Sequence, residues 1–216
     1  MSEELYKKLM DTVIDGEPED AEQIAKEALE ANLDPLTCIN KGLMPGIQKV
    51  GELFSTGEYY LPELIIGADA MKAALEILEP ALVGGQKREI VGMVVIGTVE
   101  GDLHEIGKTL VGTMLTANGF KVVDIGVDQS AEAFVKAAEE HDADIVGASA
   151  LLTTTMLQQK KLVEALESAG LKDKVKVMVG GAPVTDRYAQ EIGADGYAED
   201  AISAVDVAYR LMDAPA

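Results

Sequence analysis

This 216-residue sequence has no tryptophan, one cysteine and only two histidines. The single cysteine, Cys38, excludes a disulfide within the chain and a thiol-rich metal site. Cys38 falls in a helical pattern with Leu36 and Ile39, which predicts a buried structural thiol rather than a reactive one. Of the two histidines, His141 is expected on the surface, so His104 is the candidate for chemistry.

Basic residues are also scarce, since 18 lysines and arginines stand against 38 acidic residues and give a net charge of −20. Nucleic acid is therefore not expected as a partner, because its phosphates need a basic surface. No apolar run approaches the roughly 18 residues of a membrane helix, and residues 1–10 are charged and amphipathic, unlike a signal peptide. We expect a cytoplasmic protein with no membrane partner.

Residues 1–83 have the pattern of helices only. Their apolar residues recur at helical spacing in four segments with short connections, which predicts an N-terminal four-helix bundle. Helix boundaries and one kink are indicated by Gly16, Pro18, Asp34-Pro35, Leu61-Pro62 and, for the kink, Pro45. The stretch 84–88, Gly-Gly-Gln-Lys-Arg, has paired glycines that suit a hinge. We therefore assign 1–88 to the bundle and linker and 89–216 to a second domain.

The second domain alternates strand-length apolar runs with helical patterns. The predicted strands are Ile90–Ile96, Lys121–Val127, Asp144–Ala148, Val175–Val179 and Ala194–Tyr197. The predicted helices are Ile106–Asn118, Ala131–Glu140, Thr155–Ala169, Thr185–Ile192 and Ile202–Met212. This alternation predicts an α/β domain, Rossmann-like or flavodoxin-like, with a five-stranded parallel sheet covered on both faces. If the strand order is 2-1-3-4-5, ligands bind beyond the carboxyl ends of the first and third strands.

The most informative motif follows the first of these strands. Asp102, His104 and Gly107 form the pattern Asp-x-His-x-x-Gly. A carboxylate two residues before a histidine can accept a hydrogen bond from one ring nitrogen and leave the other nitrogen for a metal. By itself, Asp102 could equally cap the following helix, and His104 could bond locally.

Two further motifs lie at the ends of later strands. Ser149-Ala150-Leu151 follows the third strand, with 41 residues between Gly107 and Ser149, and Gly180-Gly181 ends the fourth, with 28 residues between Leu151 and Gly180. Each has an ordinary explanation, since one threonine of 153–155 could cap a helix and two glycines could make a turn. Their shared position at the carboxyl edge of the sheet predicts that they meet in space.

Together the three motifs resemble the corrinoid-binding fingerprint of B12-binding domains. The resemblance extends over nearly the whole chain and is to the helical cap and cobalamin-binding domains of cobalamin-dependent methionine synthase, and to corrinoid proteins of multi-component methyltransferase systems. It implies cobalamin or a related corrinoid as cofactor, with His104 as the cobalt ligand. Asp102 would support His104, and Thr155 would complete an Asp–His–hydroxyl relay where methionine synthase has serine.

The resemblance also implies cofactor contacts. Ser149 would bond the displaced lower base and Leu151 would line its apolar slot. The other contacts implied on this domain are Gly107, Thr153, Gly180, Gly181 and Ala198. In the bundle, the stretch 51–64 resembles the start of a cap helix, with Tyr60, Leu61 and Leu64 as candidates to shield a bound methyl group. Ordinary packing within the bundle is the alternative for these three.

The function that the resemblance implies is that of a methyl carrier. A substrate-specific corrinoid methyltransferase would load the methyl group, and a methylcorrinoid:acceptor methyltransferase would pass it to a thiol or a tetrahydrofolate-type acceptor. A reductive activase would restore the cobalt. The chain would then be a component of a methyltransferase system rather than a complete enzyme alone.

Three alternatives stay open. A small subunit of an adenosylcobalamin mutase would share the motifs but should lack the helical segment. A B12-sensing regulator should carry a basic DNA-binding module. A dinucleotide-binding or flavodoxin-like protein would share the fold without cobalt, although no Gly-x-Gly-x-x-Gly loop follows the first strand. The sequence does not identify the methyl donor.

Overall fold

A computed structural model describes residues 2–82 and 90–214. The chain divides into two compact units, Met1–Glu89 and Ile90–Ala216. The predicted linker 84–88 lies outside the described residues. No helix in the described ranges is long and apolar enough to cross a membrane.

The first unit is built from helices. They are α1 Ser2–Asp15, α2 Pro18–Glu30, α3 Pro35–Cys38, a π-helical turn Ile39–Leu43, α4 Met44–Ser55, α5 Leu61–Leu78 and a 3-10 turn Glu79–Ala81. The helix boundaries predicted at Gly16, Pro18, Asp34-Pro35 and Leu61-Pro62 are confirmed. Gly16, at φ +69°, follows the end of α1. Asp34 caps α3 by accepting a 2.9 Å hydrogen bond from the backbone N–H of Thr37.

The third predicted helix differs from expectation near Pro45. Helical backbone runs without a break from Pro35 to Ser55, but a π-turn separates α3 from α4. Pro45 has no N–H to donate, and its ring crowds the carbonyl four residues earlier. The N–H of Met44 instead reaches back five residues to the carbonyl of Ile39. The expected kink is thus a local widening of the helix.

Cys38 lies in the core of this unit with no exposed surface. Burial, with a smaller contribution from the Asp34 carboxylate, raises the pKa of its thiol to about 11. A thiol that stays protonated at neutral pH is a poor nucleophile. The predicted structural role of Cys38 is therefore confirmed.

The second unit is an α/β domain. Its elements are β1 Met93–Thr98, α6 Ile106–Ala117, β2 Lys121–Asp124, α7 Ala131–Glu140, β3 Ile145–Ser149, α8 Leu157–Ser168, β4 Lys176–Gly180, α9 Asp186–Ile192, β5 Gly196–Ala198 and α10 Ala201–Leu211. All strand pairs are parallel and the order is β2-β1-β3-β4-β5. This is the predicted flavodoxin-like order, with β1 beside β3 at the switch point.

The strand register brings four residues to one level at the carboxyl edge of the sheet. Thr98 pairs with Ser149, Ser149 with Gly180, and Gly180 with Ala198. Because side chains alternate between the two faces of a strand, these four positions face the same side. Three of them were predicted as cofactor contacts, and this row lies at the edge of the sheet where the candidate site opens.

Candidate functional site

The loop after β1 places Asp102 and His104 in direct contact. Asp102 Oδ1 lies 2.6 Å from Nδ1 of the His104 ring and 3.1 Å from the His104 backbone nitrogen. Asp102 is 1% exposed, whereas the His104 side chain is 52% exposed. A buried carboxylate beside Nδ1 keeps the ring proton on that nitrogen, so Nε2 is the nitrogen that a metal can reach.

The second oxygen of Asp102 is bound by the loop after β3. The hydroxyl of Thr155 donates to Oδ2 at 2.6 Å, and the backbone N–H of Leu151 donates to it at 2.8 Å. Burial alone raises the pKa of the Asp102 carboxyl group, but these hydrogen bonds and those from His104 outweigh burial and hold the pKa well below its usual range. The carboxylate therefore stays ionised.

The alternative role of Asp102, as a cap of α6, is wrong. That helix begins at Ile106 with Glu105 in the cap position and no side-chain hydrogen bond there. Asp102 accepts from His104 and from the β3 loop instead, so both of its oxygens are occupied. The expected threonine cap is wrong as well, because Met156 takes the cap position of α8 without a side-chain bond.

Backbone contacts that the sequence did not reveal fix the loop around His104. The Thr98 hydroxyl donates to the His104 carbonyl at 2.9 Å. The N–H of Gly101, at φ +80°, donates to Asp128 at 2.7 Å, and the N–H of Asp128 donates to the Asp102 carbonyl. Thr98 carries one usable signal, since it is a buried polar residue at the end of an apolar strand. The loop is therefore preorganised.

An apolar cavity of about 740 Å³ opens beside His104. It lies on the face of the sheet that carries Thr98 and Ser149, between helices α6 and α10. Its walls include Leu103, His104, Ile106, Gly107, Leu110, Val111, Ser149, Leu151, Gly180, Gly181, Ala198, Ala201 and Ala204. The volume and lining are typical of a site for a small molecule or cofactor.

Gly107 faces open space in this cavity. A Cβ atom built there would meet no heavy atom within 4 Å. Glycine in the first turn of α6 destabilises the helix, and no neighbouring atom requires it there. An open glycine position of this kind allows a ligand to approach the backbone closely. The predicted set of His104 with Gly107 therefore fits a bulky cofactor that sits against this turn.

Gly181 is glycine for a different reason. Its φ is +122°, and a Cβ there would lie 1.8 Å from the carbonyl oxygen of Ala150. A Cβ on Gly180 would lie 3.0 Å from the carbonyl oxygen of Ala198. Both glycines line the cavity as predicted, but the fold itself requires Gly181 at the crossing of the β3 and β4 loops.

The structure separates the remaining predicted residues. Thr153 is exposed and lies outside the cavity lining, whereas Leu151 lies in it. In the first unit, Tyr60 is 68% exposed, Leu61 is partly exposed and Leu64 is fully buried. Their part in shielding a methyl group stays a prediction.

Sequence reasoning missed Lys108, which lines the cavity although it is 3% exposed. Its ammonium group pairs with the carboxylate of Asp124 at the end of β2. Asp124 also accepts a 2.8 Å hydrogen bond from the N–H of Gly126. The pair ties the first turn of α6 to the end of β2. A lysine next to the Gly107 motif was a visible signal, but its partner 16 residues away was not.

Comparisons with known proteins agree with this geometry. Residues 92–206 match a B12 binding domain family, and residues 5–79 match a second B12 binding domain family. The chain is 46% identical over 210 residues to a corrinoid protein of Desulfitobacterium hafniense (strain Y51), covering 96% of this chain and 97% of that protein. It is 45% identical over 207 residues to trimethylamine corrinoid protein 1 of Methanosarcina acetivorans, covering 94% of each.

A solved structure is similar over the same extent. A chain in the methanol:cobalamin methyltransferase complex from Methanosarcina barkeri is 31% identical, with a TM-score of 0.88, and the match covers 98% of this chain and 81% of that chain. The protein therefore belongs to the B12-binding corrinoid proteins of methyltransferase systems. The match of residues 5–79 also argues against the mutase-subunit alternative, which should lack that segment.

The open position at Gly107 gives a direct prediction. Gly107→Leu should reduce corrinoid uptake by the apoprotein at least about tenfold, because the side chain occupies space that the ligand needs. The free energy of unfolding of the apoprotein should not fall, since leucine favours helix over glycine. Spectroscopic corrinoid titration and urea unfolding measure the two quantities.

A matched variant on the same helix is Gly112→Ala. A Cβ at Gly112 makes ordinary contacts, with Val122 at 3.6 Å and Ile96 at 3.9 Å. It should bind corrinoid as the wild type does. Full corrinoid uptake by a folded Gly107→Leu protein would show that the ligand does not approach this turn.

Removal of the Thr155 hydroxyl should destabilise the apoprotein. Thr155→Val leaves Asp102 Oδ2 with one donor fewer and should cost about 2 kcal/mol of unfolding free energy at pH 7. Hydrogen bonding lowers the pKa of Asp102 in the folded protein. The contribution of this bonding to the free energy of unfolding is therefore fully present above the pKa of the unfolded chain, about 3.9, and is lost as the pH falls through the pKa of the folded protein. The difference between wild type and variant should therefore narrow below about pH 4.

The control for this prediction is Thr155→Ser, which keeps the hydroxyl and should cost less than about 1 kcal/mol. Urea unfolding of the three proteins across pH makes the comparison. A Thr155→Val deficit that is the same at every pH would show that lost packing, rather than the Asp102 hydrogen bond, is responsible.

Proposed function

We propose that the protein binds one corrinoid, with Nε2 of His104 as the lower axial ligand of cobalt, and carries a methyl group between two methyltransferases. The observation that carries this proposal is the Asp102–His104 pair at the mouth of an apolar cavity. The corrinoid supplies the chemistry through its cobalt, which accepts a methyl group in the reduced state and gives it to an acceptor.

The protein supplies a prepared ligand. Asp102 holds a proton on Nδ1 of His104 and leaves Nε2 unprotonated, as metal binding requires. Thr155 and the backbone of Leu151 fix the orientation of the carboxylate.

The surface around His104 suits a flat apolar ligand. Leu103 and Ile106, on either side of His104 within the motif, are 71% and 73% exposed, and Leu151 is 41% exposed. Large apolar side chains at such exposure are typical of a binding surface. The corrin ring would cover them, while the displaced lower base would enter the cavity past Ser149 and Gly180.

The helical unit is proposed to shield the bound methyl group. Tyr60 supports this because its ring stands exposed at the start of α5, where its backbone N–H donates to Glu63 at 3.0 Å and its carbonyl accepts from the N–H of Leu64 at 3.1 Å. Leu61 is a second candidate. Leu64 would contribute by packing the helix that carries them, since its side chain has no exposed surface.

The partners proposed are a substrate-specific methyltransferase, an acceptor methyltransferase acting on a thiol or a tetrahydrofolate-type acceptor, and a reductive activase. A similar chain occurs in a methanol:cobalamin methyltransferase complex, which supports the first. A trimethylamine and a dimethylamine corrinoid protein are 45% and 44% identical to this chain, so donor choice is assigned to the partner enzyme. Reduced cobalt needs a reducing compartment, which favours the cytoplasm.

The experiment uses the reconstituted full-length protein. Corrinoid bound to the protein is reduced, treated with isotope-labelled methyl iodide and separated from free label by gel filtration. The label should travel with the protein and pass to a thiol when an acceptor methyltransferase is added. A protein that binds corrinoid but retains no label, or whose label no methyltransferase fraction removes, would contradict a carrier function.

A further inference from the structure

The cavity beside His104 is deep, and its depth can be followed along the sheet. Ser149 and Gly180 lie at the carboxyl edge, and Gly147 and Met178 stand two residues further in on the same strands. Because side chains alternate, the two rows face the same side. A rise of about 3.3 Å per residue puts the inner row about 6.6 Å below the edge.

The flanking helices reach a similar depth. On α6, the cavity lining continues from Gly107 to Val111, and on α10 from Ala201 to Ala204. One helical turn advances about 5.4 Å, in agreement with the spacing of the two sheet rows. Farther in, Val94, Ile145 and Ala208 are fully buried and lie outside the lining.

The inner end of the cavity is lined by residues with small or flexible side chains, which leave space for a ligand. Gly147 weakens the middle of a buried strand. A Cβ there would lie 3.3 Å from Ile96 Cγ1, so any side chain would use the space. Ala204 has no exposed surface and contributes only a methyl group. Met178, 4% exposed, is flexible and can adapt to the shape of a ligand.

We propose that Gly147, Met178 and Ala204 set the largest lower base that the protein accepts on its corrinoid. This inference rests on the proposed function, in which the displaced base enters the cavity. Lower bases are aromatic groups of differing size attached to a common corrin ring. Apolar walls accept any flat base that fits, so the position of the inner end determines the limit.

The test compares two corrinoids that share the corrin ring. Cobalamin carries a dimethylbenzimidazole base on its nucleotide tail, whereas cobinamide has no nucleotide tail. Ala204→Leu and Met178→Phe each fill the inner end from opposite walls. Each should weaken cobalamin binding at least about tenfold relative to cobinamide. Affinities come from spectroscopic titration of the full chain, with circular dichroism to verify folding.

The two variants are independent, so Met178→Phe carries the test if Ala204→Leu does not fold. Equal weakening of both corrinoids by a folded variant would overturn the inference, as would unchanged cobalamin binding. A wild-type protein that binds neither corrinoid would contradict the proposed function itself. If the wild type binds both corrinoids and neither folded variant weakens cobalamin binding relative to cobinamide, the methyl-carrier proposal stays intact and the size limit is rejected.

Discussion

Replacing His104 with alanine should remove the lower axial ligand from cobalt. Corrinoid affinity should fall at least about tenfold, because losing a residue that only hydrogen-bonds a metal ligand already costs about that much. Absorption and electron paramagnetic resonance spectra of the bound corrinoid should lose the features of an imidazole nitrogen. Because Asp102 then keeps its bonds to Thr155 and Leu151, the apoprotein should remain folded.

His141 provides the matched control. It is the other histidine of the chain and lies exposed at the carboxyl end of α7. His141→Ala should leave spectrum and affinity unchanged. Added imidazole should restore the nitrogen signature to His104→Ala, since the truncated side chain leaves room beside Asp102. Spectra of His104→Ala identical to those of the wild type would show that another group ligates cobalt.

Gly181→Ala should lower the free energy of unfolding by more than about 3 kcal/mol, a large loss for one methyl group. The added Cβ would lie 1.8 Å from the Ala150 carbonyl oxygen, so the β3 or β4 loop must move. Movement of the β3 loop displaces the Leu151 N–H from Asp102. Corrinoid binding should therefore fall together with stability.

Gly170→Ala is the control that separates the cost of the steric clash at Gly181 from the cost of a positive φ. Gly170 also has a positive φ, +71°, but a Cβ there meets nothing within 4 Å. It should cost about 1 kcal/mol, the ordinary penalty for a left-handed residue. Urea unfolding of both variants measures the difference. Similar losses in the two would mean that the crossing at Ala150 relaxes easily.

The fold was predictable because, in both units, the glycine and proline boundary residues and the spacing of apolar residues indicate the same helices and strands. Strand ends were not. Lys121–Val127 was predicted as a strand, but β2 ends at Asp124, whose carboxylate bonds Gly126 N–H at φ +92° and turns the chain. β1 begins at Met93 rather than Ile90, which is 38% exposed, and continues to the polar but buried Thr98. Apolar character alone does not show where hydrogen bonding to a neighbour begins.

The candidate site was predictable where side chains carry the function. Asp102, His104 and Gly107 could be named because their spacing within one short segment is visible in the sequence. The donation from Leu151 could not, since a backbone N–H has no sequence signature. Nor could the sequence choose among the threonines 153–155 on local grounds, because the choice depends on how the β3 loop meets Asp102.

The carboxylate of Asp102 physically joins the two halves of the site. One oxygen holds the His104 ring and the other holds the Leu151 N–H at the cavity mouth. By linkage, if binding at Nε2 of His104 changes binding at the cavity mouth by some factor, binding at the mouth changes binding at Nε2 by the same factor.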